Sequence, residues 1–240
     1  MQEVVEPTTA MQIGSAAHSL IVEGENAFNK EVAVISGSPY TNANKQLKRD
    51  YLDRGMLVIT QDKRDMLFQM KDNLIEEARK FLDVDQGEYP GVFVKPYENA
   101  LYWWEQDVLL KLRSDVIRYP VIQPYSDESI VVIDYKTTSD CSVSGFTRSI
   151  RRYQYDLQAA FYRRGYQKAG FKVEDFLFVA QETKHPYATK IFKMNDEDMD
   201  RGWEQLEKSL VDFKAVKDGE KPSIYNSPNI VEVMLGYEFE

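Results

Sequence analysis

Ile130-Val-Val-Ile-Asp134-Tyr-Lys136-Thr-Thr is the stretch whose residue types and spacing could do chemistry. Its β-branched run favours a strand, along which successive side chains alternate between faces. Asp134 and Lys136 therefore project together, and Val131, Ile133 and Tyr135 project the other way. An acid and a lysine are costly against a core but useful in a cleft. There the carboxylate can bind a hard divalent ion, and the ammonium can orient or help deprotonate a water and offset phosphate charge. Asp115, in Leu112-Arg-Ser-Asp-Val-Ile, adds a second carboxylate if its strand forms a hairpin with that of Asp134. Two close carboxylates repel unless a cation or proton lies between them. Plainer readings stand beside these: D-x-K ends many solvated strands, and Lys111 and Arg113 share the face of Asp115 as on an exposed edge strand.

The elements that must position these residues follow from periodicity. Ile13, Ala17, Leu20 and Ile21 recur at helical spacing, which predicts a helix over Ala10–Glu23 with Gly24 as its stop. Residues Ser36–Asn44 are rich in turn formers, and a polar, charged segment follows to about Arg54. Thr60 is placed to cap a helix running to about Leu82, and Asp83–Pro96 reads as a connection. Asn99–Trp104, Asp107–Arg118 and Ser129–Thr137 read as strands, with Tyr119–Glu128 joining the last two. The strongest helix is expected over Thr147–Ala169, followed by strands at Phe176–Gln181 and Thr189–Lys193. Asn195 or Asp196 caps a final helix to about Lys217, and a weak strand lies near Ile230–Met234. The order predicts an α/β (α+β) class, with one central mixed sheet flanked by helices in a single domain over 1–240.

On the long helix, Arg151, Tyr155, Gln158 and Tyr162 fall on one stripe with Arg148 just before it. Such a stripe offers phosphate donors beside aromatic and amide groups, although an ordinary amphipathic helix has the same pattern. His18, four residues after Gly14, reads by itself as a structural imidazole; Glu98 is ambiguous. Tyr102, Trp103 and Trp104 read as core and strand-edge aromatics.

Totals narrow the classes. The 43% hydrophobic content can build a core. There is no run of about 18 apolar residues, which argues against a membrane-spanning helix. The first ten residues lack the basic and apolar regions of a signal peptide. One cysteine, Cys141, permits no internal disulfide and no four-cysteine metal cluster, and points to a reducing, cytosolic setting. The net charge of −9 gives nucleic-acid binding no support, but it is unevenly spread. From Phe146 to Lys172 there are seven bases against one acid; from Asn195 to Glu240 there are twelve acids against five bases.

In order along the chain, Gly14-Ser-Ala-Ala-His18, Glu98, Asp115, Asp134-Tyr-Lys136 and Gln158-Ala-Ala-Phe-Tyr162 resemble the RecB-like branch of the PD-(D/E)XK nucleases. That branch carries G-x-x-x-H, an acid, D-x-K and Q-x-x-x-Y in this sequence. Ala10-Met-Gln-Ile-Gly-Ser-Ala-Ala-His-Ser-Leu, Glu98-Asn-Ala-Leu-Tyr-Trp, Lys111-Leu-Arg-Ser-Asp and Ile133-Asp-Tyr-Lys-Thr-Thr are most similar to the RecE-type exonuclease (exonuclease VIII) core. The resemblance implies Mg²⁺ or Mn²⁺ held by Asp115, Asp134, a backbone carbonyl near Tyr135 and His18, with Lys136 positioning the attacking water. It further implies that Glu98 is an additional acidic residue and that Gln158 and Tyr162 support the site and contact DNA; beside them, Arg148, Arg151, Arg152 and Tyr155 are the expected DNA-binding residues. The implied reaction is hydrolysis of linear double-stranded DNA from its ends, digesting the 5′ strand and leaving a 3′ overhang. Implied partners are a RecT-like single-strand annealing protein and further copies of the chain in a trimeric or tetrameric ring. The implied setting is the cytoplasm of a bacterial host, with a phage or prophage gene. A RecB-like or CRISPR-associated endonuclease, or a noncatalytic DNA-binding protein on the same fold, are the alternatives.

Overall fold

The computed structural model describes residues 8–82, 93–95, 99–119 and 129–219. Its elements in chain order are α1 (Thr9–Ile21), α2 (Glu25–Glu31), β1 (Val32–Ile35), α3 (Asn42–Asp53), β2 (Leu57–Thr60), α4 (Gln61–Asp72) and α5 (Glu76–Leu82). There follow β3 (Phe93–Lys95), β4 (Asn99–Glu105), β5 (Val108–Ser114), β6 (Val116–Tyr119), β7 (Ser129–Thr138), α6 (Val143–Tyr153) and α7 (Tyr155–Lys168). The last elements are β8 (Lys172–Glu182), β9 (Thr189–Lys193) and α8 (Asp196–Lys217).

The central sheet has the order β3-β6-β7-β8-β9. It is mixed: β7 runs parallel to β8, and the other pairs are antiparallel. A parallel neighbour requires a crossover, and α6 and α7 supply it. Helices cover both faces, which is why residues 130–133 of β7 are continuously apolar rather than alternating with polar residues. On one face, Ile133, Tyr135, Leu177 and Val179 pack with Ala17 and Leu20 of α1 and Leu67 and Met70 of α4. On the other, Ile130, Val132, Phe176 and Phe178 pack with Phe146 of α6, Ala159 of α7 and Met199 of α8. The expected class, a mixed sheet between helical layers, is the one observed.

A β4–β5 hairpin forms its own two-stranded sheet and leans on α7. Gly165 permits that approach, since a Cβ there would lie 2.4 Å from Leu112 Cδ2 and 2.9 Å from Trp103. Of the three aromatics read as core and strand-edge residues, Trp103 is buried and Tyr102 and Trp104 are exposed.

Several boundaries differ from the sequence reading. The polar segment before Arg54 is the helix α3, which buries none of its residues and so shows no apolar stripe. The strands β1 and β2 are only four residues each, too short for a periodic signal, and pair in parallel. The helix expected over 61–82 is two, α4 and α5, because Asn73 and Leu74 leave the helical path. Thr60 does precede α4, but its side chain makes no capping hydrogen bond. Asn195 caps α8 as expected, its Oδ1 accepting from Asp198 N at 2.7 Å. Gly24 (φ 93°) opens α2; α1 already ends at Val22.

Two corrections bear on the site. The strand expected over 107–118 is interrupted, and the interruption falls at Asp115, between β5 and β6. The helix expected over 147–169 is broken at Gln154, whose backbone is left-handed (φ 54°, ψ 46°). The stripe that placed Arg151 in line with Tyr155, Gln158 and Tyr162 therefore does not exist: Arg151 belongs to α6 and the other three to α7. Glu98, Tyr119–Glu128 beyond Tyr119 and Ile230–Met234 lie outside the described residues.

Candidate active site

β6 pairs with β7 so that Val116 faces Ile133, and one step further the same register sets Asp115 opposite Asp134. The ladder stops at Val116, which frees the Tyr135 N–H from β6; it donates instead to Asp115 Oδ2 at 2.9 Å. The other Asp115 oxygen, Oδ1, lies 2.9 Å from His18 Nε2. α1 delivers that imidazole because it runs close over the end of β7: a Cβ on Gly14 would sit 3.2 Å from Thr137 Oγ1.

Alternation on β7 turns Asp134 and Lys136 toward the α6–α7 layer, as the sequence predicts. Asp134 is 1% exposed. Its Oδ1 accepts from Gln158 Nε2 of α7 at 2.6 Å. The Lys136 ammonium lies 2.5 Å from Oδ2, so each oxygen of this buried carboxylate is met by a side chain. Burial, and then the charge of Asp115, push the Asp134 carboxyl up from its usual range to about 6. Burial acts to lower the Lys136 pKa, but the Asp134 carboxylate outweighs it and the lysine is held above its ordinary value. Lys136 also lies 4.9 Å over the ring of Tyr155.

His18, by itself a structural imidazole, becomes a bridge in the fold. Its Nδ1 lies 3.1 Å from Glu23 Oε1 while its Nε2 faces Asp115. Burial would lower the imidazole pKa, but the hydrogen bond to Asp115 and the charges of Asp115, Glu23 and Asp134 raise it overall. Glu23 is the residue that sequence reasoning missed. Five residues along a helix do not share a face. Glu23 reaches His18 because α1 has ended, with both Val22 N and Glu23 N donating to the His18 carbonyl. Tyr162 donates to the Arg113 carbonyl at 2.6 Å, tying α7 to the strand just before Asp115, and its hydroxyl also meets Gln158. It is a positioning contact.

The basic run from Phe146 to Lys172 divides on inspection. Arg163 pairs with Asp196 and Asp200, Arg164 and Lys168 with Glu105, and Lys172 with Glu174. The first three fasten α7 to α8 and β4, and the last lies within β8. Arg148, Arg151 and Arg152 are exposed on α6; Arg148 meets Asp140 at 3.4 Å, and Arg152 lies over the Tyr153 ring at 5.5 Å.

Could these residues hold a divalent ion? Among the described residues no group of three or more His, Cys, Asp or Glu side chains is placed to hold a metal ion. A magnesium-type site does not require one, since that ion commonly takes one or two carboxylates, waters and a substrate phosphate. The burial of Asp134 and its repulsion by the Asp115 carboxylate fit such an ion. Asp115 and Asp134 are the residues that would hold it, with Gln158 and His18 orienting them and Glu23 behind His18.

A mixed sheet between helical layers, with two acids and a lysine at the end of its central strands, defines a PD-(D/E)XK-type core. The chain belongs to the family described as PDDEXK-like domain of unknown function (DUF3799), whose model matches residues 1–228. No curated protein matches the chain. A crystal structure of a candidate exonuclease from Eubacterium rectale is similar in fold, with a TM-score of 0.56 and 17% identity over 90% of this chain and 70% of that one. A crystal structure of SSO0001 aligns with a TM-score of 0.30 and 12% identity over 71% of this chain and 68% of that one, which is too low to argue from.

Proposed function

We propose that this chain is a divalent-metal-dependent exodeoxyribonuclease that hydrolyses linear double-stranded DNA from its ends. The observation that carries the reading is the facing of Asp115 and Asp134 with Lys136 beside them, inside a PDDEXK-like fold. Bound there, Mg²⁺ or Mn²⁺ would polarise a phosphate and activate a water. The chain's own groups do the rest. The Lys136 ammonium, held charged by Asp134, orients the water and offsets phosphate charge. Gln158 fixes one Asp134 oxygen and the Lys136 ammonium meets the other. His18 and the Tyr135 N–H fix both oxygens of Asp115.

Digestion of the 5′ strand, a 3′ overhang passed to a RecT-like annealing protein, and a trimeric or tetrameric ring are part of the proposal through the resemblance of the motifs. So are a single catalytic domain over 1–240, a bacterial cytoplasm and a phage or prophage origin. Exposed Arg148, Arg151 and Arg152 support DNA contact, since a locally basic helix can act despite a net charge of −9. Among the described residues no helix is long and apolar enough to cross a membrane.

The test is Mg²⁺-dependent degradation of end-labelled linear duplex beside a covalently closed circle. Loss of the linear DNA alone is expected. Nicking of the circle would replace the exonuclease with an endonuclease, and no cleavage with Mg²⁺ or Mn²⁺ would leave a DNA-binding protein.

A further inference from the structure

Beside the carboxylates lies a second feature that the nuclease reading leaves without a role. A cavity of about 400 Å³, within the usual range of ligand pockets, opens where α1, the end of β7 and α6 meet. Hydroxyl groups come from Thr9, Thr137, Thr138, Ser139, Ser149 and Thr183, and the aromatic wall is Tyr153 and Tyr155. None of its lining residues is charged. Tyr155 belongs to both places, since the Lys136 ammonium lies 4.9 Å over its ring.

The aromatic wall depends on the helix break. Residues two apart on a helix do not face each other. Here the left-handed Gln154 between them stacks the rings of Tyr153 and Tyr155, with centroids 5.6 Å apart and planes inclined by 29°. A non-glycine residue in that conformation is strained, and such strain clusters at functional sites. The outer ring, Tyr153, is 58% exposed and is therefore available to a ligand.

The lining selects the chemistry of the occupant. An anion needs cations and a metal ion needs carboxylates, and the lining has neither. A purely apolar group would leave hydroxyls unpaired. Thr138 and Ser149 donate to the Asp140 and Gly145 carbonyls, but among the described residues the side chains of Thr9, Thr137, Ser139 and Thr183 have no such partner. A hydroxyl both donates and accepts, so these four suit a flat polar group whose edge pattern varies. That describes a nucleobase, and aromatic side chains bind unpaired bases with little regard to sequence.

We propose that this cavity takes one unpaired nucleobase of the strand whose phosphate lies at Asp134 and Lys136, packed against the Tyr153–Tyr155 pair. The proposal rests on the nuclease reading and deepens it: the preferred substrate end is a frayed or unpaired one, because a paired and stacked base cannot enter. Arg152, over Tyr153, and Arg148 and Arg151 on the same helix are placed to meet the phosphates on either side.

The experiment measures binding of the full chain, without divalent ion, to two fluorescent duplexes by anisotropy. One ends in a short unpaired flap; the other has the same flap with abasic sugars in place of its bases. The wild type is expected to bind the first about tenfold more tightly. Tyr153→Ala should abolish that difference, and Tyr153→Phe should retain it. Equal binding of both probes by the wild type overturns the proposal. So does a Tyr153→Ala loss of the same size on both, which would mean that the ring acts on the backbone. Mg²⁺-dependent cleavage of the flapped duplex by the wild type is followed in parallel. Cleavage without a base effect sinks the cavity and spares the nuclease; a base effect lost in Tyr153→Ala without cleavage supports the cavity and sinks the nuclease.

Discussion

The carboxylate centre and the neutral cavity share one side chain, Tyr155, and are otherwise opposites. At the centre, Asp134 is 1% exposed, and each described polar side chain is held by another: Gln158 and Lys136 on Asp134, His18 and Tyr135 N on Asp115, Glu23 on His18. In the cavity no lining residue is charged, and several hydroxyls are uncommitted. Charge is concentrated where a phosphate and an ion must be met, and removed where a base must slide in and out. The difference separates bond-breaking from grip, and it predicts that variants of the two regions fail in opposite ways.

The largest effect is expected at the centre. Lys136→Ala and Asp134→Asn should each lower the rate of Mg²⁺-dependent cleavage on the order of 10³-fold or more. Binding of the flapped duplex without metal should change only a few-fold, because neither side chain lines the cavity. Cleavage by both variants near the wild-type rate would move the chemistry elsewhere in the chain.

Asp134→Asn also tests the electrostatic half of the comparison. Burial and the Asp115 charge raise this carboxyl from 3.8 to about 6, so between those values the folded state binds more protons than the unfolded one. Stability contributed by this group therefore falls as pH rises from about 4 to about 6, and the loss is complete above that. The variant should match the wild-type Tm near pH 4 and exceed it by several degrees at pH 8, both measured with chelator present. A variant less stable than wild type at pH 8 would mean that the contact with Lys136 outweighs the cost of burial.

A tenfold to hundredfold weakening of Mn²⁺ binding, read by calorimetric titration, is expected for Glu23→Gln, as for other groups that orient a metal ligand. His18→Ala should weaken it at least as much. Unchanged affinity in Glu23→Gln would reduce the His18–Glu23 contact to a helix-end tether.

How much of this was legible beforehand follows the same division. The alternation of the β7 sequence fixes which face Asp134 and Lys136 share, because a strand has only two faces. The pairing of Asp115 with Asp134 follows from two adjacent strands and one plausible connection. Glu23 was not legible, since its approach to His18 depends on where α1 ends, to within one residue. The paired state of Arg163, Arg164 and Lys168 was not legible either, because their partners lie up to 63 positions away, as with Lys168 and Glu105, although the partner of Lys172, Glu174, lies two residues on. Those four made the basic run look like a single DNA-facing surface, when most of it is paired within the fold. The break at Gln154 carried no glycine or proline to announce it, and the apolar pattern continues on both sides.

That break supports the smallest and sharpest prediction. Within a continuous helix, glycine at 154 would cost about 1 kcal/mol against most residues, and valine roughly half as much. In the left-handed conformation the ranking reverses: glycine adopts it freely, and a β-branched residue resists it most. Gln154 is exposed, so packing adds little to either substitution. Gln154→Gly should leave Tm within a few degrees of wild type, and Gln154→Val should lower stability by roughly 1–2 kcal/mol. The base-dependent part of flap binding should weaken in Gln154→Val as well, because straightening the helix would part Tyr153 from Tyr155. A Gln154→Val chain more stable than Gln154→Gly would show that α6 and α7 run as one helix, and the stacked wall of the cavity would go with the break.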